Sequence, residues 1–305
     1  MDFETARYAQ SGGDMALVID VQLGCLAYMT TQDAADYLDN LGQTLDEMRY
    51  NGTPVTWVTM SDRNQLHRPL SHSSNADNVR PEHELEEMKF FATGDDFDRA
   101  DLREVFTSFL EKHGTRQNEA VFQKYFKGAF VSSEDARGRP EYQEILEGET
   151  GQSFSDILPE KIDQNELRDF VKESCTGHTI LMGAVSTHCI AETAISGVEK
   201  GLRQTIRSDL VLGWQGNENA DDYTYDRLVW RDEATFHDIA IRERLDGIKN
   251  EDGRRLSENS KMAIDNIQIT DSKREPQPDL TNQTMNGQTC LWIKDFAPGA
   301  GQGQD

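Results

Sequence analysis

Short continuous apolar runs alternate along this chain with stretches whose apolar residues recur every three or four positions. Met15-Ala16-Leu17-Val18-Ile19 ends in Asp20 and predicts a first strand buried on both faces. Asp33 to Tyr50 has helical spacing, with Ala35, Leu38, Leu41, Leu45 and Met48 on one side, and Asn51-Gly52-Thr53-Pro54 stops it. Val55 to Met60 is a second strand. Leu102 to His113 predicts a helix and Ala120-Val121-Phe122-Gln123 a third strand. A helix beginning at Leu167–Lys172 leads to a fourth strand at 178–183, followed by a helix over Ile190–Lys200. Gln204 to Arg207 is a fifth strand ending at Asp209, Ala234 to Leu245 a helix, and Ile264 to Ile269 a sixth strand. Strand–helix–strand order implies right-handed crossovers and a parallel sheet. The predicted fold class is therefore α/β: a mostly parallel, Rossmann-like sheet of about six strands with helical and loop insertions.

Two polar stretches interrupt this order, at 63–118 and 131–162. The first carries a further expected helix from Pro81 through Phe91. Residues 1–275 read as one domain containing both insertions. The tail, 276–305, is rich in Asn, Gln, Gly and Pro and reads as an extended or partly disordered extension, in which Leu291-Trp292-Ile293 could dock on a neighbour.

Charge changes the picture more than composition does. Asp and Glu number 55 against 31 Lys and Arg, a net charge of −24. Such a surface repels nucleic acid and anionic membranes, so neither is an expected partner. It suits a high-salt environment, though acidic loops on an ordinary protein would look the same. The screening length shrinks from about 30 Å at 0.01 M salt to about 3 Å at 1 M, so relief of carboxylate repulsion should raise the melting temperature in molar NaCl or KCl. A melting temperature that is flat or falling over that range would remove the high-salt reading. The four cysteines, Cys25, Cys175, Cys189 and Cys290, show no metal-ligand spacing, and the acidic N-terminus has no apolar leader core. A reduced, cytoplasmic protein is the simplest expectation.

Catalytic groups in open parallel sheets gather at the carboxyl ends of strands. Asp20 ends the first strand, Lys124 follows the third, and Cys189 follows the fourth. A cysteine between strand and helix meets the positive end of the helix dipole, which is expected to lower its pKa, and backbone N–H groups there can hold an oxyanion. Taken singly, the cysteine fits a buried small hydrophobe, the aspartate a cap and the lysine a surface charge. Together they form an acid, a cation and a nucleophile with defined roles. No G-x-G-x-x-G follows the first strand, and Gly128 is isolated, which disfavours a nucleotide-dependent dehydrogenase.

At these residues the chain resembles the isochorismatase-like cysteine hydrolases. Ala16-Leu17-Val18-Ile19-Asp20-Val21-Gln22 is similar to that family's opening motif. Lys124-Tyr125-Phe126-Lys127-Gly128-Ala129-Phe130 is similar to its lysine motif, and Gly183 to Cys189 with Ile190, Thr193 and Ala194 to its nucleophile motif. The resemblance spans roughly residues 14–270, less the insertions. It implies a three-layer α/β/α fold and a catalytic triad of Asp20, Lys124 and Cys189. Lys127, one turn later, competes with Lys124, whose distance to Gly128-Ala129-Phe130 matches the family better. The resemblance also implies a cis peptide between Ala184 and Val185, an oxyanion hole from the N–H groups of Val185 and Cys189, and substrate contacts from Gln22, Phe130 and Ser186.

The departures are informative. Asp62-Arg63-Asn64 stands where the nicotinamidase branch has an Asp-x-His metal motif. His67 is the only histidine nearby, and Leu70 replaces a further ligand, so no metal and no cofactor are expected. The isochorismatase branch commonly lacks the cysteine, so Cys189 favours C–N over vinyl-ether hydrolysis. Cys25 occupies a position where an aromatic residue is usual. His188 could touch substrate but is expected rather to point to solvent, Trp57 to be core, and Trp214 to line a pocket or pack on the surface. The expected activity is metal-independent hydrolysis of a small amide, ureido or carbamoyl compound through a thioester, by a homo-oligomer (dimer or tetramer). The alternative is a catalytically idle member that acts as a binding or interaction protein.

Overall fold

A computed structural model describes residues 14–26, 29–60, 99–116, 119–124, 126–132, 135, 165–174, 177–214, 228–229, 234–250, 256–271, 284–285 and 288–289. The expected helix at Pro81–Phe91, the bulk of the second insertion, the motif around Asp62 and His67, and Leu291-Trp292-Ile293 lie outside these residues.

Strands β1 (Met15–Ile19), β2 (Val55–Met60), β3 (Ala120–Lys124), β4 (His178–Ala184), β5 (Arg203–Trp214) and β7 (Gln268–Thr270) form a parallel sheet. Its order is β3-β2-β1-β4-β5-β7, and the short β6 (Leu228–Val229) pairs antiparallel with the end of β5. Thr284–Met285 and Gln288–Thr289, β8 and β9, form a separate two-stranded ribbon. The order runs outward from β1 in one direction through β3, then restarts at β4 in the other. The junction of β1 and β4 is thus the topological switch point, the place beside which open α/β sheets bind their ligands.

Both faces of the sheet are covered, as the unbroken apolar runs require. Met15, Leu17 and Ile19 pack into one core cluster and Ala16 and Val18 into the other. The first cluster takes in helices α4 (Asn165–Ser174), α5 (Ala191–Glu199), α6 (Ala234–Lys249) and α7 (Glu258–Asp265). The second takes in α1 (Leu23–Leu26), α2 (Thr31–Tyr50) and α3 (Ala100–His113). This is the three-layer α/β/α arrangement expected. Helix α2 is capped by the Thr30 hydroxyl, which accepts from Asp33 N–H at 3.2 Å. Its buried stripe runs through Ala34, Tyr37, Leu38, Leu41 and Leu45. Ala34 rather than Ala35 is the inward position, because Tyr37 and Leu41 rotate the stripe by one residue.

A buried ionic knot fixes the start of β3. Arg49 forks onto Glu119 at 2.7 and 3.0 Å, and the same carboxylate accepts from Trp57 Nε1 at 2.9 Å and from Arg116 N–H at 3.1 Å. Trp57 is core, as expected, but it also carries a polar duty that its strand position did not suggest.

Two elements differ from the sequence reading. Strand β5 extends to Trp214, because it contains a long bulge. Leu181 pairs with Ile206 while Gly183 pairs with Val211, so two steps along β4 match five along β5. The extra residues hold themselves out of register. Arg207 forks onto Asp209 at 2.8 and 2.7 Å, Asn40 donates to Asp209 O at 3.2 Å, and Ser208 Oγ donates to Thr270 O at 3.1 Å. The polar Ser208-Asp209 pair reads as a strand end in sequence, and only the tertiary partners reveal continuation. Ile264, expected in the last strand, instead ends helix α7, whose N-cap Ser257 accepts from Ser260 N–H at 3.0 Å. The strand begins at Gln268.

Candidate active site

Asp20 stands at the switch point. It directly follows β1, its N–H donates to Val58 O at 2.8 Å, and its φ is +50°. A non-glycine residue in the left-handed region is held there by its surroundings, and such strain collects at functional sites. The side chain is 1% exposed. Lys124, the last residue of β3, is two strands away and fully buried, and its long side chain crosses the end of β2 to bring Nζ within 2.8 Å of Asp20 Oδ2. Lys124 Nζ also donates to Phe126 O at 3.2 Å and Lys127 O at 2.9 Å.

The Lys124 ammonium, the Cys189 thiol and the Met60 N–H surround the buried Asp20 oxygens, with the lysine at 2.8 Å. Burial pushes the Asp20 carboxyl above the ordinary carboxylate value, against the pull of Lys124 and of hydrogen bonds from Cys189 and Lys124. Burial works against the Lys124 charge too, but Asp20 and Cys189 together leave it above the usual lysine value.

Cys189 lies in a π-helical turn, Ser186–Ile190, between β4 and α5. Such turns recur at functional sites. The Ala184–Val185 peptide is cis, as the resemblance implies. His188 and Ile190 N–H both return to Val185 O at 3.1 Å, closing the turn. The thiol is part-buried, and its pKa is raised to about 12, by burial first and by the Asp20 charge second, with Lys124 opposing. This corrects the expectation of a thiol made acidic by the helix dipole. A partial helix charge is outweighed by desolvation and a full carboxylate beside it. The resting site is a neutral thiol next to a carboxylate able to take its proton.

The lysine loop is latched to the nucleophile helix. Ala129 N–H donates to Thr193 Oγ1 at 3.1 Å. A Cβ at Gly128 would sit 2.7 Å from Ser196 Oγ and 2.9 Å from Glu192 O, so only glycine lets the loop lie this close. Lys127 is part-buried, and its main-chain carbonyl rather than its ammonium serves Lys124.

The expected substrate contacts fare differently. Gln22 is fully buried, with Oε1 accepting from Met60 N–H at 3.0 Å and Nε2 donating to Met60 O at 3.4 Å. Its amide clamps the end of β2. Phe130 is enclosed in the core cluster beneath α5. Ser186 is buried and faces β5 and α6. A Cβ at Gly213 would meet its Oγ at 3.0 Å and His237 Nδ1 at 2.7 Å. Buried His237 is absent from the sequence reading, although it shares the stripe of Ile241, Leu245 and Ile248. His188 does not simply face solvent. Its Nδ1 lies 3.1 Å from Thr187 Oγ1, and its pKa is lowered to about 4 by burial first and then by the Lys127 and Arg244 charges. Cys25 is buried in α1. No helix among the described residues is long and apolar enough to cross a membrane.

No family model matches the chain, and no curated protein sequence does either. The fold is similar to solved isochorismatases and cysteine hydrolases. An isochorismatase from Pseudomonas putida KT2440 is 13% identical, with 85% of this chain and 88% of that one covered and a TM-score of 0.41. A cysteine hydrolase from Pseudomonas syringae pv. phaseolicola is also 13% identical, covering 85% and 89% at 0.41. A nicotinamidase/pyrazinamidase from Bacillus subtilis is 15% identical, covering 85% and 100% at 0.39.

Proposed function

We propose that the chain is a cysteine hydrolase that cleaves a C–N bond of a small amide, ureido or carbamoyl compound without a metal. The observation that carries this reading is the buried Asp20–Lys124 pair, 2.8 Å apart, beside the Cys189 thiol. A buried ion pair is costly to keep. Here it sets a proton acceptor against a nucleophile and balances the charge that develops.

In this reading Cys189 Sγ attacks the carbonyl carbon as Asp20 takes the thiol proton. The N–H groups of Val185 and Cys189 receive the oxyanion. When the C–N bond breaks, Asp20 returns the proton to the leaving nitrogen, and ammonia or an amine departs from a thioester. Water then adds, giving its proton to Asp20, and the carboxylic or carbamic acid leaves as the thiol is restored. Lys124 serves as a fixed counter-charge, since Asp20 and two carbonyls already occupy its ammonium.

The test is turnover of a panel of carboxamides, ureas and carbamoyl compounds, with mass spectrometry of the quenched reaction. An acyl adduct on Cys189, lost in Cys189→Ala, is the expected result. Turnover that persists in Cys189→Ala would sink the mechanism, and an absence of turnover across all three classes would sink the substrate reading.

A further inference from the structure

Lys124 meets Asp20 only while β3 stands in one register, and the strand's own residues do little to choose it. Among the described residues β3 is an edge strand, paired with β2 alone. Val121 packs toward one core cluster and Phe122 toward the other, so neither face is distinctly the apolar one. Register is weakly specified in such strands. A slip of one residue would turn Lys124 to the opposite face, and a slip of two would carry it about 7 Å along β2. Either would part its ammonium from Asp20, which it meets at 2.8 Å.

The register is pinned at the strand's other end. Glu119 directly precedes β3, and its side chain is 3% exposed. Its Oε2 accepts from Nε1 of Trp57, in β2, at 2.9 Å, which joins the two strands side chain to side chain. Arg49, in the last turn of α2, forks onto both carboxylate oxygens at 2.7 and 3.0 Å. The same guanidinium donates to His113 O at 3.0 Å and Gly114 O at 2.9 Å, where α3 ends. Arg116 N–H closes the turn onto Glu119 Oε2 at 3.1 Å. A buried charge fed by donors from three segments is an inefficient source of stability, and the best-attested use of such a group is to set a registry.

We propose that Glu119 is a positioning residue for Lys124: it sets the register of β3 against β2 and so seats the ammonium beside Asp20, about 17 Å further along the strand. The worth of that seat to catalysis rests on the hydrolase reading, whereas the seating itself does not.

The seat is read by the rate at which iodoacetamide alkylates Cys189 in the folded full chain at mildly alkaline pH, followed by peptide mass spectrometry, because the Lys124 charge favours the thiolate. Glu119→Ala and Trp57→Phe should each slow alkylation by about threefold or more, the loss of thiolate that follows a rise of about half a unit in the thiol pKa. Glu119→Gln keeps an acceptor for Trp57 and should slow it less. In a Lys124→Met background both effects should vanish, because there is then no ammonium to seat. Leu202→Val truncates a buried side chain at the same amino end of the sheet, outside the knot, and should lower the melting temperature without slowing alkylation. Hydrogen exchange gives a second reading: residues 120–124 should exchange faster in Glu119→Ala and Trp57→Phe than in Leu202→Val, and this decides alone if the thiol is closed to the probe. Wild-type alkylation in folded Glu119→Ala and Trp57→Phe would overturn the proposal, as would equal slowing in Leu202→Val or undiminished slowing in the Lys124→Met background. Turnover separates the two readings. If substrate is turned over through Cys189 and Glu119→Ala keeps the wild-type kcat, the positioning role falls while the hydrolase stands. If alkylation behaves as expected and nothing is turned over, the positioning role stands and the hydrolase reading falls.

Discussion

Gly183→Ala is expected to leave the chain unable to form its native sheet. Gly183 has φ +120°, and a Cβ there would lie 1.9 Å from Ile19 O and 2.8 Å from Ile19 C. Both atoms are backbone of β1, paired with Gly183 at the centre of the sheet, so neither can step aside without parting β1 from β4. Adding a strained φ to a central clash puts the loss above about 4 kcal/mol, the range that single substitutions seldom reach. Circular dichroism and urea unfolding of the soluble fraction would measure it. Gly247→Ala is the control. That helical glycine has nothing within 4 Å of a new Cβ, and alanine there should stabilise by about 0.5–1 kcal/mol. Native-like stability in Gly183→Ala would show that β1 and β4 do not pack as described.

Asp20→Asn should separate thiol reactivity from catalysis. With the carboxylate gone, Cys189 loses the charge that helps hold its pKa near 12, while Lys124 stays beside it. The thiol pKa should fall, and the midpoint of iodoacetamide labelling against pH should move down by about one unit or more. Turnover should nevertheless fall by about 10²–10⁴-fold, because Asn cannot carry the proton to the leaving nitrogen. The variant should also lose about 3–5 kcal/mol at neutral pH, as Lys124 becomes a buried charge without its partner. In the wild type the folded thiol pKa lies above its ordinary value of 9.0. Its neutral form therefore contributes stability that is complete below pH 9.0 and is lost as pH rises toward about 12. Cys189→Ala should remove that alkaline loss. Unchanged turnover in Asp20→Asn would contradict the role given to the carboxylate.

Much of this arrangement is legible in sequence, because unbroken apolar runs read as buried strands, whose carboxyl ends meet along one edge of a parallel sheet. The choice of Asp20, Lys124 and Cys189 rests on that placement together with the motif resemblance. The reversal of strand order between β1 and β4 is not legible, since it depends on pairing. Ser208 and Asp209 look like the end of a strand, because nothing local says that Asn40 and Thr270 will hold them in a bulge. Gln22 looks like a ligand contact, because a polar residue beside a reactive one advertises function, and only the fold shows its amide bonded to Met60 at the end of β2. The thiol's acidity is not legible for a related reason. The helix dipole is visible in sequence, whereas desolvation is a property of everything packed around it.

The latch between Ala129 N–H and Thr193 Oγ1 has a consequence for how such a protein can change over time. Asp20, Lys124 and Cys189 are anchored to the sheet and to one another, through Gly128 against α5 and Lys124 across β2. The long inserted stretch between β2 and α3 supplies none of them. These three side chains and the inserted stretch therefore sit on separately heritable parts of the chain. That stretch can lengthen or be exchanged while Asp20, Lys124 and Cys189 are passed on together, and an engineer could graft such segments between scaffolds on the same terms.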